Sequence, residues 1–389
     1  MVMTKKRIYL DYSATTPLRP EVRAAMTPYL EQEFGNPSSM HSYGRAARAA
    51  IEERRVRMLD LLGASGYRLA FTGSGSEADN LAVLGFARRH RTGCVVRSSI
   101  EHKAVIAATK VLQREAYDIR IVPVDGRGVL DLDALGDAVP TDGRPTLVSV
   151  MWANNETGVV QPIEAVAELC QRRAAVLFSD AVQALGKIEL DLDSAGVGIA
   201  AFSAHKLGGP KGTGALIVAD GIPLEPVIYG GGQESGLRSG TECVAGIVGF
   251  AEATALASAE LATEPKRLGA LRDRLQNGLR EAVPGLVVNG GDAPQRLPSV
   301  LNVSIPATDI EGTLTALDLE GICVSSGSAC TTGSVEPSHV MVAMGSQGDL
   351  AQNTIRFSLG WGTQAREIEY VLEVFPRIVA RVREFAAGS

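Results

Sequence analysis

Lys206 is the residue from which the chemistry of this chain can be read. It stands in AFSAHKLGGPKGTGALIV, where one apolar run ends at Phe202 and a second begins at Gly214. The connection is about ten residues, too short for the crossover that a parallel return requires, so the two runs are expected to pair as antiparallel strands. Lys206 then sits at a strand end on a Gly/Pro loop, where its side chain can project into a cleft. Desolvation there disfavours the ammonium and leaves a nucleophilic amine, able to form a Schiff base. The ordinary alternative is a surface lysine on a turn.

Other polar groups close apolar runs in the same manner. RLAFTGSGSEADNLAV reads as strand, glycine turn and helix, so Gly75, Ser74 and Ser76 offer amides and hydroxyls at a helix N-terminus, either as a phosphate cradle or as a plain capped turn. His102 follows CVVRSSIEH and suits stacking on a planar ligand, proton transfer or a structural contact. Asp180 ends AAVLFSD and suits a protonated ring nitrogen or a helix cap, with Gln183 three residues later able to donate to a ring oxygen. Asn154, Asn155, Glu156, Thr157 and Gly158 follow TLVSVMWA, where their amides suit a carboxylate or phenolate but are also ordinary turn residues. Taken together, a cradle, a flat imidazole, an acid for a ring nitrogen and an amine describe a site for pyridoxal phosphate.

Strands must position these groups. Apolar runs at Tyr67 to Thr72, Cys94 to Ser99, Ile119 to Val124, Thr146 to Met151, Ala175 to Ser179 and Gly198 to Ser203 are mostly separated by helix-like segments. That alternation predicts an α/β fold with a mostly parallel seven-stranded sheet covered on both faces, the strand at Gly214 to Ala219 being its antiparallel addition. Helices are expected over RPEVRAAMTPYLEQEF, opened by Pro20, and over RAARAAIEERRVRMLDLLG, stopped by Gly63, with GNPSSMHSYGR a loop between them. Arg45, Arg48, Arg54, Arg55 and Arg57 read as a solvated face. From about Ala251 the texture becomes a long helical stretch, then a strand in RLPSVLNVSIP, a helix in EGTLTALDLEG and a last helix interrupted by Pro376. A large domain over residues 15–255 and a smaller α+β domain made of residues 1–14 and 256–389 are expected.

The 389 residues carry a net charge of −6, with no basic tail or apolar span, so neither nucleic-acid binding nor membrane insertion is expected. Cys94, Cys170, Cys243, Cys323 and Cys330 have no paired spacing, which argues against a disulfide scaffold or a zinc site and for a reducing, cytoplasmic setting. Cys94, Cys170 and Cys323 read as core.

The motifs DYSATTPL, FGNPSSMHSYGR, EADNLA, SSIEHKAV, NNETGVVQPI, SDAVQALGK, FSAHKLGGPKGTGAL, RSGTE, LNVS, SSGSACTTGSVEPSHV and IRFSLG, in this order over nearly the whole chain, resemble the cysteine desulfurases of the NifS/IscS type, fold-type I enzymes of the class V aminotransferase superfamily. The resemblance implies pyridoxal phosphate bound through Lys206, with His102 stacked on its ring, Asp180 at the ring nitrogen and Gln183 at the phenolic oxygen. Gly75, Ser76, Ser203 and His205 would hold the phosphate, Asn155 and Arg356 the L-cysteine substrate. Thr241 would reach the phosphate of a second subunit, making a homodimer. Cys330, in the small-residue run before a helix expected to begin near Glu336, would take sulfur as a persulfide and pass it to an acceptor protein for iron–sulfur assembly or tRNA or DNA thiolation. Selenocysteine lyase, class V aminotransferase and a non-catalytic sulfur-relay scaffold are the alternatives. One departure stands out: Gly73-Ser74-Gly75-Ser76 replaces the family's usual Ser-Gly-Ala-Thr, which implies a looser loop.

Overall fold

The computed structural model describes residues 7–326 and 337–388. In chain order the first part comprises β1 (Ile8–Tyr9), α1 (Pro20–Glu31), α2 (Ser42–Leu61), β2 (Tyr67–Thr72), α3 (Gly75–Arg89), β3 (Cys94–Ser98), α4 (Lys103–Arg114), β4 (Asp118–Val122), α5 (Leu132–Ala138), β5 (Thr146–Ser149), α6 (Ile163–Arg172), β6 (Val176–Asp180), β7 (Ile199–Ser203) and β8 (Gly214–Ala219). Seven of these strands form one sheet in the order β2-β8-β7-β6-β5-β3-β4. Only β8 runs antiparallel to its neighbours, as the short gap after Ser203 requires.

Alternation along the strands divides the apolar side chains between two faces. Leu69, Phe71, Val96, Val148, Ala200, Phe202 and Ile217 enter one core, which includes the buried side of the long helix α7 (Val244–Glu260). Ala70, Val95, Leu147, Ile199, Ala201 and Leu216 enter the other, under α3 and α4. With both faces covered, the carboxyl ends of the parallel strands are where polar groups can collect.

A further core gathers α8 (Glu264–Ala282), β9 (Val287–Val288), β10 (Val300–Ser304), α9 (Ile310–Leu319), β11 (Ile322–Cys323), β12 (Ser325–Ser326), β13 (Thr354–Ser358) and α12 (Ala365–Gly388) around a four-stranded antiparallel sheet, β12-β13-β10-β9, while α10 (His339–Ala343) and α11 (Asp349–Gln352) pack Val340, Met341 and Ala351 against Ile100, Val124 and Met151. Its apolar members include Leu275, Leu301, Leu317, Phe357 and Phe375, together with Ile8 and Leu10 from the chain start. β1 pairs in parallel with β11, so the N-terminal segment crosses from this core to the sheet before α1. Among the described residues no single helix is long and apolar enough to cross a membrane.

Several expectations need correction. β5 stops at Ser149, not Met151, because the Met151 amide leaves the ladder to donate to the Glu101 carboxylate at 2.8 Å. The loop before α2 is shorter than expected: the helix starts at Ser42, where His41 Nδ1 accepts from the Gly44 amide at 3.3 Å. The helical stretch after Ala251 is two helices, α7 and α8, separated at residues 261–263. α12 is not interrupted at Pro376; it runs through, as α1 runs through Pro28, with Phe375, Ile378 and Val379 buried on both sides of the proline. Tertiary packing there outweighs one missing backbone hydrogen bond. Cys323 is partly exposed, whereas Cys94 and Cys170 are buried as expected. α10 begins at His339, behind a Ser338 cap. The arginines of α2 are not uniformly solvated. Arg55 donates to both oxygens of the buried Glu234, and Arg48 donates to Glu242 at 2.8 Å.

Candidate active site

Strand ends build one cavity of about 310 Å³, within the range of small-molecule sites. Gly75, Ser76, His102, Asn155, Asp180, Gln183, Ser203, His205, Lys206 and Arg356 all line it. Thr241 does not; it is exposed, on the loop that Arg55 and Glu234 anchor. Cys330 lies outside the described residues, but Ser325 and Ser326 before it and His339 after it line the cavity.

Lys206 closes a single 3-10 turn after β7, and Nζ donates to the carbonyls of Ser13 at 2.6 Å and Ala14 at 2.8 Å. Burial, and then Arg356, pull its amine down to about 8, against the opposing pull of Asp180 and Asp11. His205 beside it is pushed down to about 4 by burial and by Lys206, Lys211 and Lys187, so its imidazole is neutral at pH 7. Nδ1 of that ring lies 3.1 Å from the Thr15 hydroxyl.

Asp180 is the last residue of β6 and is buried; Oδ1 accepts from the Val182 amide at 2.9 Å, so it shapes a turn and not a helix start. Burial raises its carboxyl, opposed by His102, the Val182 amide and Lys206. His102 caps α4 through Nδ1, which accepts from the Ala104 amide at 3.2 Å. Ser74 caps α3 in the same way, its hydroxyl accepting from the Glu77 amide at 3.1 Å. That leaves Ser76 and the amides of the first turn facing the cavity, at the positive end of a 15-residue helix. The loop is pressed onto the sheet: a β-carbon added at Gly214 would sit 2.5 Å from the Ser74 carbonyl carbon, and one at Gly75 would lie 3.3 Å from the Ser203 Cβ.

Arg356 comes from β13 across the cavity and is buried. Its guanidinium donates to the Asn155 carbonyl at 3.0 Å and to Asp11 Oδ1 at 2.8 Å, while Nε has no partner. Asn154, next to the cavity-lining Asn155, is a turn organiser, its Oδ1 accepting from the Glu156 and Thr157 amides.

The residues present fit pyridoxal phosphate. The Ser203 hydroxyl is buried without a partner beside the α3 N-terminus, as a phosphate ligand would be. A buried acid, a flat imidazole and a low-pKa amine share the cavity with it, which is the donor set that a pyridine ring bearing an aldehyde needs.

Sequence reasoning passed over several groups. Asp79, only 1% exposed, faces the cavity with Oδ1 unpartnered and Oδ2 3.8 Å from His102 Nδ1. Burial, Asp180 and Glu101 raise its carboxyl well above the usual range. Glu101 is fully buried, takes hydrogen bonds from Met151 and Ser149, and is pushed up to about 8, chiefly by burial. Glu156, named from sequence only for the amides of its turn, accepts from the Ser338 hydroxyl through its carboxylate and is pushed up to about 7, again chiefly by burial. A signal existed for two of them: Asp79 stands among Ala78, Leu81 and Ala82 on the buried side of α3, and Glu101 directly follows the buried Ile100. Ser13, Ala14 and Asp11 gave no such signal, because they act largely through their backbone or from a distant segment.

The aminotransferase class V family pattern matches residues 8–371. The chain belongs to the class V aminotransferases, in their cysteine desulfurase branch of the NifS/IscS type. Among class V members, it is 41% identical over 381 residues to a protein of Dictyoglomus turgidum named cysteine desulfurase IscS, covering 97% of this chain and 96% of that one. A NifS-like protein from Rickettsia africae superposes with a TM-score of 0.88 at 34% identity, over 96% of this chain and 99% of its own. A structure of SspA in complex with cysteine superposes with a TM-score of 0.78 at 32% identity, over 90% of this chain and 98% of its own. The family fold is thus the fold found here, down to the mostly parallel central sheet.

Proposed function

We propose that this enzyme is a cysteine desulfurase that uses pyridoxal phosphate to convert L-cysteine to L-alanine, leaving the sulfur as a persulfide on Cys330. The observation that carries the reading is the meeting of Lys206, His102, Asp180, Gln183 and Arg356 around one cavity; the desulfurase names of its relatives and the cysteine bound by the SspA structure support it.

When bound, pyridoxal phosphate supplies an aldehyde for amines and a ring that takes up the electron pair of a broken Cα–H bond. Ser76, Ser203, the neutral His205 and the α3 amides around Gly75 would hold its phosphate, Asp180 would favour a protonated ring nitrogen, and His102 would offer its imidazole to the ring. Arg356 and Asn155 hold the cysteine carboxylate; a guanidinium already fixed by Asp11 is set for that task. Lys206 Nζ takes the proton from Cα, since an amine near 8 is in part neutral at working pH. The Cys330 thiolate would then bond to the substrate sulfur as the Cβ–S bond breaks; the bonding pair stays on carbon, Cβ takes a proton, and the carbon skeleton leaves as alanine. This last role rests on the resemblance.

The same reading takes residues 15–255 as the cofactor domain and residues 1–14 with 256–389 as the smaller one. It makes the protein a cytoplasmic homodimer, with Thr241 serving the second subunit's phosphate, and gives it a sulfur-acceptor protein as partner. Its test is an assay with L-cysteine and no keto acid. Alanine and reducible sulfur should appear in equal amounts, and Cys330→Ala should keep the cofactor's colour while losing sulfur transfer. A requirement for a keto acid would point to an aminotransferase and contradict the proposal.

A further inference from the structure

Lys187 carries a charge that the reaction above leaves without a task. It lies in the turn region after β6, half-buried, and does not line the cavity. The charged groups that face it are cations, Lys206 and Arg356, and burial together with these pulls its amine down to about 7. A lysine in such a place needs a strong local contact. Its contact is short: Nζ donates to Gln183 Oε1 at 2.6 Å.

That contact, with one other, decides which way round the Gln183 amide sits. Gln183 Nε2 donates to the Ser13 carbonyl at 3.0 Å. The Ser13 main-chain carbonyl only accepts, so the amide atom it meets must be the nitrogen, and Nζ, which donates whether protonated or not, then meets the oxygen. A flipped amide would set acceptor against acceptor at Ser13 and, against the ammonium, donor against donor at Lys187. Nε2 carries two hydrogens, and Ser13 takes one. Since Gln183 lines the cavity, the second is the hydrogen it can offer there. The Ser13 carbonyl also accepts from Lys206 at 2.6 Å, so the amide and the reactive amine share one acceptor.

We propose that Lys187 is a positioning residue: it clamps the Gln183 amide so that an N–H, and not the carbonyl, faces the phenolic oxygen of pyridoxal phosphate. The inference rests on the pyridoxal phosphate reading above. Without Lys187, Oε1 is a buried acceptor lacking its donor, and only the Ser13 contact opposes rotation of the amide. An N–H on the phenolic oxygen stabilises its negative charge. Losing that bond makes the neighbouring nitrogen hold its proton more tightly.

The test is a pH titration of the visible absorbance of the reconstituted enzyme, with the cofactor dissociation constant measured beside it. In Lys187→Met the midpoint should rise by about one pH unit, a tenfold tighter proton, and cofactor binding should weaken severalfold. Loss of a positive charge alone would also raise the midpoint, so two further variants separate the causes. Lys187→Gln is neutral but still donates, and should stay within about twofold of wild type if donation is what matters. In a Gln183→Ala background, Lys187→Met should add nothing, because its effect runs through that amide. An unshifted Lys187→Met, equal shifts in Lys187→Met and Lys187→Gln, or full additivity with Gln183→Ala would each overturn the proposal while leaving the cofactor reading intact. A wild-type chain that never gains the absorbance would overturn both.

Discussion

Two amines with lowered affinity for protons stand within one network, and only one faces the cavity. Lys206 lines it and is pulled down to about 8; Lys187, pulled down to about 7, sits behind Gln183. Lys206→Ala should therefore abolish turnover, by at least about 10³-fold, while leaving the urea midpoint close to wild type, because it removes a buried cation from a site that penalises it. Uptake of pyridoxal phosphate needs the neutral amine, so its rate should climb with pH and level off above about 8, measured by stopped-flow absorbance. Glu101 supplies a test of opposite sign. Its folded pKa, about 8, lies above the ordinary carboxyl value, so the native chain holds a proton that the unfolded chain has released. The associated stability is complete in mild acid and is lost as pH rises through about 8. Glu101→Gln mimics the protonated form, and should become steadily more stable relative to wild type in urea melts between pH 5 and pH 8. At this scale His102, Asp180 and Lys206 were legible because each closes an apolar run. Asp79 and Glu101 were not, since an acid inside an apolar segment declares its burial but not its neighbours.

Elements place these groups, and tight backbone contacts fix the elements. The first turn of α3 lies against the start of β8, where Gly214 leaves no room for a β-carbon beside the Ser74 backbone. Gly214→Ala should shift that turn, weakening cofactor binding about tenfold and costing about 1–3 kcal/mol of stability by urea unfolding. The Thr241 loop depends on a buried ion pair: Glu234 accepts from Arg55 and from the Phe71 amide at 2.9 Å, and is 5% exposed. Glu234→Ala orphans the Phe71 amide and leaves Arg55 only Glu52 and the Leu69 carbonyl, and should cost about 1–3 kcal/mol. The alternation of strands and helices, and the reversal into β8, followed from periodicity and from one short gap. Element ends did not follow. β5 is stopped by the side chain of Glu101, α2 is opened by His41, and α12 continues through Pro376 because a core grips both of its halves. Two of these depend on contacts remote in sequence, and the third on a histidine cap, which is not among the usual cap residues.

Across the whole molecule, the cavity closes only because the chain start and the C-terminal sheet meet over the strand ends of the larger sheet. Ile8 and Leu10 pack in the C-terminal core, Asp11 holds Arg356 from β13 at 2.8 Å, and Ser13 and Ala14 receive Lys206 from the turn after β7. Asp11→Ala should free the guanidinium and raise the KM for L-cysteine about tenfold, with a smaller effect on kcat, since the carboxylate contact is made before and during reaction. A meeting of three distant segments was readable from the sequence only through the family resemblance. The central claim is that these segments assemble a pyridoxal phosphate site around one particular amine. Borohydride reduction of the reconstituted enzyme, followed by peptide mass spectrometry, tests it most directly: the pyridoxyl group should be found on Lys206 alone, and its recovery on Lys187 or Lys103, or on no lysine, would contradict the account.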